Sequence, residues 1–239
     1  APKDVRVISK FAADTYTGSR VHAILLNPKA WGDLKAGDLK SRIEIEREED
    51  HSEPRALHRV VTRFEILQTV KEYLDGRIVV CNLGIPSKEL YQVRHQKSNF
   101  YMLGSMGLAS SIGLGVALFT KKDVVVIDGD GSLLMNLGAL STIAIAKPKN
   151  LTILALDNGV HGSTGNQPTA TSYGVDLELI AKGSGFGNTY KCANKVDILH
   201  TLRSLNGGPN FVHILARSSN AKVPNIPLTP VEIKRNVMD

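Results

Sequence analysis

The stretch from Val124 to Gln167, VVVIDGDGSLLMNLGALSTIAIAKPKNLTILALDNGVHGSTGNQ, constrains the fold more than any other part of the chain. Its β-branched apolar run, Val124 to Ile127, breaks at Asp128-Gly129-Asp130-Gly131-Ser132, as a buried parallel strand does before a helix begins. Leu133 to Ala146 reads as that helix, and Leu151 to Leu156 as a second buried strand that ends in Asp157-Asn158-Gly159. Two parallel strands joined by one crossover helix bring both polar endings to the same sheet edge, where open α/β sheets bind ligands. Asp130 and Asn158 are therefore expected to converge.

A carboxylate, an amide oxygen and turn carbonyls are hard oxygen ligands, too few to cage a cation alone. They suit a magnesium ion that completes its shell with a bound phosphate. Ser132 and the amides opening the next helix offer phosphate donors, since a helix start presents unpaired N–H groups. The pattern reads as a magnesium diphosphate clamp. GDGS alone would equally serve as a turn with a capping aspartate, and Asn158 at the matching place in the next strand separates the two readings.

GDG, a 25-residue spacer and DN resembles the thiamine diphosphate fold motif, in which the second element is NN. The departure is Asp157; the second asparagine is kept as Asn158. CNLGIPSKELY from Cys81, NFYMLGSMGLASSIGLGVAL from Asn99 and DNGVHGSTGNQPT from Asp157 are similar to the sulfopyruvate and phosphonopyruvate decarboxylases, most closely the beta subunits of the former, over roughly Thr62 to Arg217. The resemblance implies thiamine diphosphate and Mg2+ as cofactors, with Asp130, Asn158 and the Val160 turn as metal ligands. It implies cofactor contacts at Gly129, Gly131, Ser132, Asn158 and Ser163, and at Gly84, Ser87, Gly104, Ser105 and Met106. Within the GSMG motif, Gly104 would offer its carbonyl to the cofactor's amino group, and Met106 would hold the cofactor bent. From sequence alone, Met106 at a helix start reads as a core gap-filler, and it is the resemblance that gives it this role.

At 239 residues and 42% hydrophobic content the chain can bury one sizeable core. No apolar run is long enough to cross a membrane, and the start does not look like a signal peptide, so a cytoplasmic location is expected. Cys81 and Cys192 show no metal-ligand spacing and no disulfide framework. The net charge of +6 is scattered over solvated lysines without a basic face or aromatic interleaving, which argues against nucleic acid and leaves room for steering an anionic substrate.

Along the chain, a helix from Asp4 to Tyr16 and a strand from Val21 to Leu26 form one αβ unit with no sheet of its own. By resemblance it is a remnant, over residues 1–33, of a pyrimidine-binding domain. Residues 34–59, rich in glutamate, read as an exposed linker. A doubly wound parallel α/β sheet, the diphosphate-binding domain, is expected over 60–217, with an arm and helix over 218–239. Thr62 caps a helix to Leu74 with Glu65 completing a capping box, and Phe64, Leu67, Val70 and Leu74 share one face. Ile78 to Cys81 is a strand, and Gly84-Ile85-Pro86-Ser87 opens a helix from Lys88 to Val93. That turn is a plain connection or a second phosphate contact. Asn99 to Leu103 is a short strand, and the small residues of Leu108 to Phe119 let that helix lie close to a neighbour. Val175 to Lys182, Lys195 to Leu205 and Asn210 to Ala216 complete the sheet. The tail from Ser218 to Pro230 is an ordered arm or a flexible linker. The helix from Thr229 to Val237 would dock Val231, Ile233 and Val237 on the core or a partner.

His161 and Thr164 are candidate catalytic residues. His161 reads as a general acid, an anion contact or a hydrated surface side chain. The expected function is the diphosphate-binding part of a 2-oxoacid decarboxylase acting on sulfopyruvate, with phosphonopyruvate as the alternative substrate and a non-catalytic cofactor-binding subunit as a reading of another class. The family's catalytic glutamate has no counterpart here. An alpha-type pyrimidine-binding subunit or segment, and an oligomer, are therefore expected as partners of an enzyme whose substrate is an anionic 2-oxoacid.

Overall fold

The computed structural model describes residues 58–238. The expected αβ unit and most of the charged linker lie outside the described residues. In chain order the elements begin with α1 (Arg63–Val70), β1 (Ile78–Cys81), α2 (Ile85–Arg94), β2 (Asn99–Tyr101), α3 (Ala109–Phe119) and β3 (Val124–Gly129). They continue with α4 (Asp130–Met135), α5 (Gly138–Ala146), β4 (Leu151–Asp157), and a small antiparallel ribbon of β5 (Val160–His161) and β6 (Gln167–Pro168). After a 3-10 turn at Ala170–Tyr173 come α6 (Leu177–Gly183), β7 (Asn188–Cys192), α7 (Lys195–Ser204), β8 (Asn210–Leu215) and α8 (Pro230–Met238).

Six strands form one sheet in the order β2-β1-β3-β4-β8-β7, and every pairing is parallel. The central strands are β-branched and apolar because both faces are covered. Alternate residues serve opposite faces. Val79, Cys81, Val125, Ile127, Leu154 and Leu156 pack with α1, α2, α7 and Ile233 of α8. Val80, Val124, Val126, Ile153 and Ala155 pack with α3, α5 and α6. The sheet is thus doubly wound, as expected. β1 leads outward to β2, and the chain then returns to β3 on the other side of β1. That reversal opens a crevice at the strand ends.

Several boundaries follow the expected chemistry. Thr62 and Glu65 form the capping box, with the Thr62 amide donating to Glu65 Oε2 at 2.9 Å. The buried face of α1 is Arg63, Ile66, Leu67 and Val70, while Phe64 is only half-buried. Leu74 is buried as expected, in turns that follow the helix. Gly113 explains how close α3 lies to β3, because a Cβ there would sit 2.2 Å from Val126 Cγ2.

Other expectations are corrected. The expected helix from Leu133 to Ala146 is two helices, α4 and α5, broken at Asn136 and Leu137. Asn136 leaves helical geometry (φ −145°, ψ 54°), and its amide donates to the Gly107 carbonyl at 3.0 Å. A tertiary bond thus replaces helical continuity. β2 stops at Tyr101 rather than Leu103, which is exposed. β7 escapes the apolar pattern because it is an edge strand of half-buried residues, Asn188 to Lys191, closed by buried Cys192. Arg59, placed by sequence in the linker, bonds the Asp157 carboxylate at 2.9 Å. After Ser218 the chain runs without helix or strand to α8, which buries Ile233 while Val231 stays exposed. Among the described residues, no helix is long and apolar enough to cross a membrane.

Candidate functional site

The crevice between the ends of β1 and β3 is a cleft of ≈ 630 Å³ including its open mouth. Asn82 and Leu83 line it from the end of β1, Asp128 to Ser132 from the end of β3, and Asn158 and Val160 to Ser163 from beyond β4. Met106 faces it from the turn before α3. The convergence expected of Asp130 and Asn158 is therefore present, and Met106 and His161 share the same space.

Two glycine-rich turns dock on each other. The Gly107 amide donates to Ser132 Oγ at 3.0 Å, and Asn136 holds the Gly107 carbonyl. Gly107 has φ +91°, and the neighbouring Ser105 adopts φ +59°, a left-handed conformation that costs a non-glycine residue energy. Strain of this kind persists where packing over-determines it, and here the Ser132 and Asn136 bonds supply that constraint. A Cβ at Gly131 would lie 2.5 Å from His161 Cε1 and 3.4 Å from Met106 Cε, so the His161 ring would have to shift to admit one. His161 and Met106 thus close over the bare backbone of the GDG turn.

Beneath the turn lies a buried polar relay. Asp130 Oδ2 accepts from Thr169 Oγ1 at 2.5 Å and sits 3.2 Å from Thr171 Oγ1. Thr171 is 2.7 Å from Asp157 Oδ1, so its single proton is better placed on Asp157 while that of Thr169 serves Asp130. Asp157 Oδ2 also meets His213 Nε2 at 2.9 Å, and His213 Nδ1 lies 3.5 Å from Asp176, which pairs with Lys191.

The electrostatics follow from these contacts. Burial would raise the Asp157 carboxyl, but bonds from His213 and Arg59 outweigh it and take it down to about 2. Burial opposes the charge on His213, yet Asp157 and Asp176 win and raise its pKa. The His213 ring, 3.5 Å away, ahead of Lys191, holds Asp176 below the usual carboxylate range. Asp130 moves the other way, raised by burial despite its threonine donors. Burial pushes Asp128 up to about 6, against bonds from Ser132, Gly129 and Ser110.

Of the sequence-predicted residues, Met106, Gly129, Asp130, Gly131, Ser132, Asn158, Val160, His161 and Ser163 line the cleft. Gly84, Ser87, Gly104, Ser105 and Thr164 do not. Ser87 is buried with its hydroxyl donating to the Asn82 carbonyl at 2.6 Å, and Ile85 and Pro86 stand at the cleft instead. Thr164 is exposed and bonds Gln167 Oε1 at 2.8 Å. Sequence reasoning missed Asn82, Arg63, Thr169, Thr171 and Asn220. Asn82 had a signal, since it is the polar residue that ends β1. The threonines, Arg63 and Asn220 had none, because their partners are distant in sequence.

The donor chemistry fits a hard cation held with a diphosphate. Asp130 offers a carboxylate, and Asn158 and the Val160 turn offer neutral oxygens. Among the described residues, no group of three or more His, Cys, Asp or Glu side chains can hold a metal, so such an ion needs ligands from elsewhere. A buried Asp130 with a raised pKa is also a site that a cation would relieve. The bare backbone at Gly129 and Gly131 leaves room for phosphate oxygens.

A family model described as the C-terminal TPP binding domain of thiamine pyrophosphate enzymes matches residues 83–214. The chain is 42% identical over 228 residues to a protein of Methanosarcina acetivorans named sulfopyruvate decarboxylase, covering 92% of this chain and 59% of that protein. It is 44% identical over 181 residues to the sulfopyruvate decarboxylase subunit beta of Methanococcus maripaludis, covering 75% of this chain and 97% of that subunit. A phosphonopyruvate decarboxylase of Streptomyces viridochromogenes is 43% identical over 160 residues, covering 66% of this chain and 40% of that protein.

Proposed function

The chain belongs to the thiamine pyrophosphate enzymes, and from that premise we propose that it is the diphosphate-binding part of a decarboxylase that converts sulfopyruvate to sulfoacetaldehyde and carbon dioxide. The observation that carries this reading is the meeting of Asp130, Asn158 and Met106 in one cleft at the sheet's switch point. A sulfonated substrate is favoured over a phosphonated one because the similarity to the sulfopyruvate enzymes extends further along the chain, 181 and 228 residues against 160.

In this reading, Asp130, Asn158 and the Val160 carbonyl hold Mg2+, and the Gly129–Ser132 turn and Ser163 hold the diphosphate. Thiamine diphosphate, when bound, supplies the electron sink for cleavage of the carboxylate. Met106, at the cleft wall, would pack against the bound cofactor with its bulk. Thr169 orients Asp130, and Asp157 is held ionised by His213 and Arg59, so the charge beneath the cleft is fixed before any ligand arrives. His161, over Gly131, is placed to exchange a proton or contact an anion at the cleft mouth; Thr164 is exposed and reaches it only through the ribbon turn.

The catalytic glutamate on the pyrimidine side comes from an alpha-type subunit or segment, and the active species is an oligomer. The naming of the M. maripaludis relative as subunit beta supports that division of labour. Residues 1–33 belong to the pyrimidine-binding side in this scheme. Both cysteines are buried and unpaired, in keeping with a reducing cytoplasm. The test is carbon dioxide release from 3-sulfonated and 3-phosphonated pyruvate by the chain alone and after addition of an alpha-type subunit. The expected result is sulfonate turnover only in the complex. Turnover by the pure chain would overturn the division of labour, phosphonate preference the substrate, and inactivity of a complex with bound cofactor the enzymatic reading.

A further inference from the structure

The β5–β6 hairpin sets His161 and Ser163 at the cleft, and within itself it is held by two short strands and by local bonds such as that from Thr164 Oγ1 to Gln167 Oε1 at 2.8 Å. Its other tether comes from the C-terminal arm. Asn220 Nδ2 donates to the Gly162 carbonyl at 2.7 Å, and Asn220 Oδ1 accepts from Arg63 Nη2 at 3.0 Å. The amide can face only one way, because a guanidinium has no acceptor and a carbonyl no donor. Arg63 is itself immobilised: Nε and Nη2 reach the two Glu89 oxygens at 2.7 and 3.1 Å, in an ion pair with side-chain exposures of 8% and 0%. Glu89 Oε1 further accepts from the Ala221 amide at 2.9 Å, which fixes the arm on the far side of Asn220. The rigid base of this chain of bonds is a buried, bidentate pair between α1 and α2.

We infer that Asn220 is a positioning residue for the cleft: it hangs the Gly162 loop from the Arg63–Glu89 pair and so keeps His161 over Gly131 and Ser163 at the cleft wall. The arm therefore belongs to the site. Releasing Asn220 frees the loop, while the arm keeps its own bond from the Ala221 amide to Glu89.

Two substitutions attack the same contact from opposite sides. Asn220→Asp keeps the acceptor for Arg63 but sets a carboxylate oxygen against the Gly162 carbonyl. Gly162→Ala places a Cβ 2.9 Å from Asn220 Oδ1, at a backbone position with no left-handed requirement. Amide hydrogen exchange at residues 162–165 in the full chain, without ligand, should quicken about tenfold in each variant, the loss of one hydrogen bond. Affinity for magnesium thiamine diphosphate should fall by about the same factor while the ligand-free melting temperature moves little. The double variant Gly162→Ala/Asn220→Asp should be no worse than either single one, because all remove one interaction. Wild-type exchange in Asn220→Asp, or additive effects in the double variant, would overturn the inference. The exchange measurement uses no cofactor, so it stands or falls separately from the decarboxylase reading on which the affinity measurement rests.

Discussion

Thr169→Val tests how Asp130 is held. Valine keeps the β-branched shape and suits the extended backbone at Thr169 (φ −88°, ψ 170°), so the change removes little beyond the hydroxyl. That hydroxyl donates to a carboxylate that is 3% exposed, at 2.5 Å. A hydrogen bond to a charged group contributes about 1.5–3 kcal/mol, and at 25 °C each 1.4 kcal/mol is tenfold. Affinity for magnesium thiamine diphosphate should therefore fall roughly 10- to 100-fold, in line with the loss of a group that orients a ligand. The pH dependence has a definite sign. Burial already raises the Asp130 pKa and Thr169 opposes that rise, so valine pushes it further up. The variant's carboxylate then protonates first as pH falls, and the affinity gap from wild type should widen toward acid. Titration by intrinsic fluorescence between about pH 8 and 5.5 reads the gap. Thr171→Val is the control, since its proton is better placed on Asp157 at 2.7 Å. It should lower stability with a smaller effect on cofactor. Equal affinity in Thr169→Val and wild type, or a gap that closes toward acid, would refute the reasoning.

Met106→Ala should leave cofactor affinity near wild type and lower turnover in the reconstituted complex; an unchanged rate at full occupancy would make Met106 ordinary packing. Glu89→Gln strips the charge from a buried pair with Arg63 and should cost about 3–5 kcal/mol in urea unfolding, with a loss under 1 kcal/mol contradicting the geometry. His213 is stabilised in its charged form when folded, so its contribution is full below the ordinary value of 6.5 and fades as pH rises through its higher folded value. His213→Gln should therefore be most destabilised relative to wild type below pH 6.5, and the difference should shrink toward alkaline pH. A difference independent of pH would mean that His213 is neutral in the fold.

The strands β1, β3 and β4 were legible because a doubly covered strand must be apolar on both faces, and because Gly, Asp and Asn mark where each run stops. From those endings and one crossover, the meeting of Asp130 and Asn158 followed by topology alone. The capping box at Thr62 was equally local, four residues carrying their own reason. The break of the expected Leu133 to Ala146 helix was not legible, because Asn136 trades helical geometry for a bond to Gly107 on another turn. Nor was the inward hydroxyl of Ser87, the polar edge strand β7, or the grip of Thr169 and Thr171 on Asp130. Local pattern records what a residue must exclude from water, so sequence alone determined the central strands and the place of the cleft. Which polar group satisfies which depends on side chains brought together over separations such as the 157 residues between Arg63 and Asn220. Only packing in three dimensions decided those partnerships, and with them how the cleft is held in shape.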